Sequence, residues 1–282
     1  MRSRIGITAA VGVVALLAVG CSTTSPAQHS TSGASGTSGM SPIQAIALAA
    51  TQAKQANSFA TDLSIQMSGS TSVSMTGSLA LRNEPSLLAT ANFSSIKANG
   101  QSMPGGMSEI VTDKTIYLKM AELQQELGGK QWLELPLSEL QQSTGVNLSQ
   151  LINQVQGNNP LVQTQMLAAA KDVRTVGTQQ VDGVQTTHYT GSYPLSAGLA
   201  KLPASLRGMA QQQIQKLGLQ TAQFNVWIDA QHQTRKLTMT EHGNGETVNV
   251  TLDVTSIGQP VNVTLPSGSQ VATIPASALS GK

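Results

Sequence analysis

One cysteine, four histidines and a single Ser-x-x-Lys pair are the residues of this 282-residue chain whose types invite a search for chemistry. Ser94 and Lys97 have the spacing in which a lysine amine takes the proton of a serine nucleophile, a chemistry that needs the pair at the start of a helix. Here the local run Ala91-Asn92-Phe93-Ser94 alternates as a strand, and neither Ser-Asp-Asn nor Lys-Thr-Gly accompanies it. His29, His188, His232 and His242 are scattered, without the paired His, Cys, Asp or Glu spacing a zinc site requires. Gly-x-Ser-x-Gly, a Gly-rich phosphate loop and His-Glu-x-x-His are all missing from the sequence. No catalytic residue, metal ligand or cofactor is assigned, and the chain reads as a non-enzyme. What is left is the thiol of Cys21.

Cys21 closes the run Leu16-Leu17-Ala18-Val19-Gly20-Cys21. Arg2 and Arg4 supply a positive n-region, Ile5 to Val19 an apolar or small-residue stretch, and Val19-Gly20 the small residues a signal peptidase needs beside its cut. The pattern resembles a bacterial lipobox, with Ala18 where leucine is usual and Leu17 one place further out. It implies a signal peptide over 1–20, a diacylglyceryl group on the Cys21 sulfur, and a palmitate-type acyl group on the new amino terminus. The protein is then expected at the cell membrane, lipid-anchored on the extracytoplasmic face. Simple secretion and an uncleaved anchor stay open. The apolar run of about fifteen residues is short for a bilayer span, which needs about twenty, and simple cleavage would leave an unpaired thiol in an exported protein.

Residues 22–40 are almost all Ser, Thr, Gly, Ala and similar small or polar types, with no apolar period. Such a tether has a root-mean-square reach of roughly 25 Å. The formal charge of +2 falls to zero once Arg2 and Arg4 leave with the signal, which excludes a nucleic-acid footprint and a polybasic membrane patch. Charged residues are only 11% of the chain and aromatics 3%, against about a quarter charged in ordinary domains. With one cysteine, no intramolecular disulfide is possible, and stability has to come from an apolar core built by residues 41–282, read as one domain and a monomer.

The elements that build this core follow from periodicity. Ser41, Pro42 and Gln44 form an N-cap, a first-turn proline and a capping-box partner for a helix to about Asn57, with Ile43, Ile46, Ala47, Ala50 and Ala53 on one face. From Phe59 the period becomes two: Leu63, Ile65 and Met67; Val73, Met75, Leu79 and Leu81; Leu87, Ala89, Ala91 and Phe93; then Ile116, Leu118, Leu133 and Leu135. Gly69, Asn83-Glu84-Pro85, Asn99-Gly100 and Gly128-Gly129 mark the turns. Residues 136–171 carry three helical pieces, opening at Leu137, Asn147 and Asn159-Pro160. A hairpin with its turn at Val181-Asp182-Gly183 follows, then a helix over about 203–216, three more alternating strands around Val226, Leu237 and Val250, and a surface tail after Pro260. The opposite parity of Trp132 and Trp227 to their apolar neighbours predicts two core or edge tryptophans packed beneath a helix on the second sheet face, with an exposed partner-binding pair as the alternative. The sum is an α+β fold in which a long antiparallel sheet of around ten strands has its helices on one face.

Four local patterns in this order carry a family resemblance: Ile116-Tyr117-Leu118-Lys119 leading to Lys130-Gln131-Trp132-Leu133-Glu134-Leu135; Val181-Asp182-Gly183-Val184-Gln185-Thr186-Thr187-His188-Tyr189; Val226-Trp227-Ile228-Asp229 turning into Arg235-Lys236-Leu237-Thr238-Met239; and Gly258-Gln259-Pro260-Val261-Asn262-Val263-Thr264-Leu265-Pro266. After a lipobox and a tether, they resemble the actinobacterial lipoproteins of the LppX/LprAFG type, relatives in fold of the periplasmic carrier LolA. The resemblance implies a curved antiparallel half-barrel with helices across its concave face, around an apolar cavity for the acyl chains of a lipid or lipoglycan. The sheet parity and the facing helices put Leu63, Ile65, Met75, Leu79, Phe93, Leu151, Ile152, Met166, Met209 and Val226 forward as its lining. A filled-core module that binds an envelope protein or cell-wall polymer stays open beside it.

Overall fold

The computed structural model describes residues 40–144, 164–202 and 204–273. Among these residues, thirteen strands form one open sheet. In chain order they are β1 (Ser58–Ser68), β2 (Val73–Arg82), β3 (Leu88–Ala98), β4 (Gln101–Ser102), β5 (Met107–Thr112), β6 (Thr115–Met120), β7 (Trp132–Pro136), β8 (Arg174–Val181), β9 (Val184–Pro194), β10 (Leu219–Asp229), β11 (Thr234–Gly243), β12 (Thr247–Ile257) and β13 (Val271–Thr273). The described helices are α1 (Pro42–Gln55), α2 (Leu137–Thr144), α3 (Thr164–Leu167), α4 (Leu195–Leu199) and α5 (Ala204–Lys216), with a 3-10 turn at Ala121–Leu123.

The spatial order is β13-β7-β6-β5-β3-β2-β1-β12-β11-β10-β9-β8, with β4 paired to β3. Two antiparallel meanders therefore run outward from a seam at which the first long strand, β1, pairs with the last, β12. The arrangement is an open half-barrel: β8 and β13 stand at opposite ends of the order and do not meet. β7 lies near one edge of the sheet and β8 forms the other. Of the chain between them, α2 contacts β7, and α3 contacts α1, α4 and β9 with Met166 and Leu167 in the inner cluster.

Cross-strand registry turns the alternation of each strand into rows. One row reads Leu63, Leu252, Leu237, Val226 across β1, β12, β11 and β10, and the next reads Met75, Ile65, Val250, Met239, Phe224 from β2 to β10. These rows, Ile46 and Ala49 of α1, Met166 and Leu167 of α3, and Leu195 of α4 form one core cluster. Gly191 on β9 has no room for a side chain, because a Cβ there would sit 2.8 Å from the Phe224 ring. Phe224 and Tyr193 thereby pack at 6.2 Å between ring centroids.

Several expectations need correction. The buried stripe of α1 is Ala45, Ile46, Ala49, Ala50 and Ala53, whereas Ile43 and Ala47 are exposed. Residues 43 and 47 lie on a line turned one step, about 100°, from the stripe that meets the sheet. The helix does start as expected, with the Ser41 N–H donating to Gln44 Oε1 at 3.0 Å. Strand β5 had no signal in the alternation, because Glu109 interrupts its apolar parity between Met107 and Val111. The C-terminal tail is more than a surface run: Val261 is buried with Leu88 and Ile110, and β13 pairs in parallel with β7. That strap, and not a helix, covers Trp132. Trp227 is not beneath a helix either; it stacks on His188 with centroids 4.3 Å apart and donates from Nε1 to Gln179 Oε1 at 2.9 Å.

Candidate ligand-binding face

The inner face is the surface of this protein built for apolar contact. Of the residues put forward as lining, Leu63, Met75, Phe93, Met166 and Val226 are buried in the one inner cluster, and Ile65 and Leu79 are half-buried against it. The fold thus brings together seven side chains spread over more than 160 positions of sequence. Met209 belongs to α5, but its side chain, like Leu151, Ile152 and Cys21, lies outside the described residues. The same is true of the helical pieces expected from Asn147 and Asn159.

Sequence reasoning missed two members of this face, Glu109 and Glu241. Glu109 stands on β5 in register with Ala91 of β3 and Leu118 of β6. Glu241 stands on β11 in register with Ala222 of β10 and Val248 of β12. Burial among these side chains pushes both carboxyls from the ordinary 4.5 up to about 7. The phenol of Tyr193 is pushed upward as well, by burial first and then by Glu241. The signal was present in the sequence, as a carboxylate in the apolar parity of Met107-x-Glu109-x-Val111 and of Leu237-x-Met239-x-Glu241.

The outer face has a different chemistry. From β8 to β12 its polar side chains satisfy one another: His188 with Asn225 at 3.0 Å, Thr240 donating to Asn249 at 2.8 Å, and Lys236 paired with Asp253 at 2.7 Å. Ser94 and Lys97 lie on β3, where three residues of extended chain span about 10 Å, and the Ser94 hydroxyl donates to the Thr76 carbonyl at 3.3 Å. The Ser-x-x-Lys spacing therefore does not create a nucleophile.

A depression of about 520 Å³ opens where the strap crosses the β2–β3 and β5–β6 turns, lined by Arg82, Asp113, Lys114, Tyr117, Asn262 and Leu265 among others. Its volume is in the range of ligand pockets. The Arg82 guanidinium there donates to the carbonyls of Ser86 at 3.4 Å and Val261 at 3.3 Å, so it works as an anchor for the strap.

No family model matches the chain. It is 29% identical over 147 residues to an uncharacterised 31.2 kDa protein from the rplA–rplJ intergenic region of Streptomyces griseus, a match covering 50% of this chain and 48% of that protein. The chain thus spans about half the length of that curated relative. Among solved structures it is similar to LprF from Mycobacterium bovis, with 15% identity, 80% of this chain, 97% of that one and a TM-score of 0.47. It is similar also to the Mycobacterium tuberculosis lipoprotein LppX, with 18% identity, 79% and 98% coverage and a TM-score of 0.42. A LolA superfamily protein from Nitrosomonas europaea follows at 8% identity, 81% and 96% coverage and a TM-score of 0.27.

Proposed function

We propose that this protein is a lipid-binding lipoprotein of the cell envelope, held on the extracytoplasmic side of the membrane by a diacylglyceryl group on Cys21. As a monomer, it takes the acyl chains of a lipid or lipoglycan against its inner face and carries or presents them. The observation that carries the reading is the continuity of that face: an apolar row runs unbroken from Met75 to Phe224 across five strands, with helices above it. Acyl chains leave water for such a surface with a gain of about 0.8 kcal/mol per methylene, so neither catalytic groups nor a cofactor is needed. Methionines 75, 107, 166 and 239 in the cluster give a wall that adapts to chains of different shape.

The test is organic extraction and native mass spectrometry of protein purified from its own host, where a stoichiometric lipid is expected. A lipid-free protein whose interior also admits no hydrophobic dye would end the reading. In parallel, Cys21→Ser should move the protein from the membrane to the soluble fraction with its cooperative unfolding transition intact. Retention in the membrane fraction would show that the anchor is not the Cys21 lipid.

One observation favours a second reading. Val226 at 0%, Leu237 and Leu252 at 1% and Leu63 at 2% exposure are values of close-packed interiors, as a filled-core module that docks an envelope protein or cell-wall polymer would show. The same extraction separates the two.

A further inference from the structure

Glu109 and Glu241 are out of place for a face that only excludes water. Among the described residues neither carboxyl has a hydrogen-bond or ion-pair partner. Glu109 is bracketed by Ala91 and Leu118, and Glu241 by Ala222 and Val248, so each meets hydrocarbon on both neighbouring strands. Both residues are half-buried, so a donor can reach the carboxyls, and a cationic donor offsets the cost of their partial burial best. The two groups stand five strands apart, roughly 24 Å along the sheet at the usual strand spacing. They therefore act as separate polar points on one apolar wall, and do not share a site.

We propose that Glu109 and Glu241 select the cargo by its head, accepting hydrogen bonds from an amphiphile whose polar group is an ammonium and turning away anionic heads. This rests on the reading of the inner face as an acyl-chain surface, and gives it a specificity that its hydrocarbon cannot provide. With the chain length held constant, the order of affinity follows from charge alone: ammonium first, hydroxyl next, carboxylate last.

Calorimetric titration of the full chain at pH 7.5 with decylammonium, decanol and decanoate, each below its micelle concentration, tests it. Decylammonium is expected to bind at least ten-fold more tightly than decanoate, with decanol between them. The double variant E109Q/E241Q should reduce that preference to less than three-fold. Decanoate binding as tightly as decylammonium, or a preference that survives in the double variant, would overturn the proposal while the acyl-chain reading stands. Binding of none of the three would instead remove the acyl-chain reading itself, and the proposal with it.

Discussion

The two faces of the half-barrel handle charge in opposite ways. On the outer face Lys236 meets Asp253 at 2.7 Å with both side chains about a third exposed, and amides and hydroxyls pair along the strands. On the inner face two glutamates sit opposite alanine, leucine and valine with no partner among the described residues. Alternation forces this asymmetry, since side chains one residue apart on a strand face opposite directions. A Glu in the odd parity of β5 is committed to the interior regardless of its own preference. Solvent screens the outer charges, whereas the partial burial of the inner ones favours their protonated form.

Phe224→Ala is the largest way to break this contrast. Phe224 is 1% exposed and packs on Tyr193, so its truncation is expected to cost about 3–5 kcal/mol in urea unfolding. Thr238→Ala, in the polar parity of β11, is expected to stay within about 0.5 kcal/mol. Comparable losses at the two positions would mean that the faces do not differ as described.

Next in size is the response to pH. Glu109 and Glu241 titrate at about 7 in the folded protein and near 4.5 when unfolded. Between those values the native state holds protons the unfolded chain has released, so stability falls as pH rises through the window, and the loss is complete above about pH 7. The effect is at most about 3 kcal/mol per residue before discounting for partial exposure. Thermal melts from pH 4.5 to 8 should show the decline, and E109Q/E241Q should flatten it. A wild-type profile that rises over this range would contradict the burial of the two carboxyls.

The smallest effect belongs to the outer face. A double-mutant cycle on Lys236 and Asp253 should give a coupling below about 1 kcal/mol that fades in high salt. A coupling of several kcal/mol would show that this face is drier than its exposure indicates.

Much of this architecture was legible one strand at a time. The Asp182-Gly183 turn takes φ values of 50° and 78°, as an Asp-Gly hairpin requires. The Asp229 turn closes with its carboxylate accepting from the N–H groups of Gln231 and Gln233 and from Arg235. The unseen parts depend on partners distant in sequence. Strand β5 shows no clean alternation because Glu109 interrupts it. The burial of Leu88 needs Val261, more than 170 residues away. Ile43 was assigned to the buried side of α1 because periodicity gives a stripe but not the rotation at which it meets a sheet.

The candidate site divides in the same way. Parity alone brought Leu63, Ile65, Met75, Leu79, Phe93 and Val226 to one face, since a residue's side of a strand is set by its neighbours in sequence. Pairing β1 with β12 required tertiary structure, because strand order is decided by which apolar edges can be buried together and not by proximity along the chain. That seam sets the two meanders side by side under one cover and leaves Glu109 and Glu241 on a common wall. The sequence by itself determined the alternation, the turns and the Leu16–Cys21 run that resembles a lipobox. Only the folded sheet decided that two carboxylates would face hydrocarbon, because their environment is made by strands that registry, not sequence, places beside them.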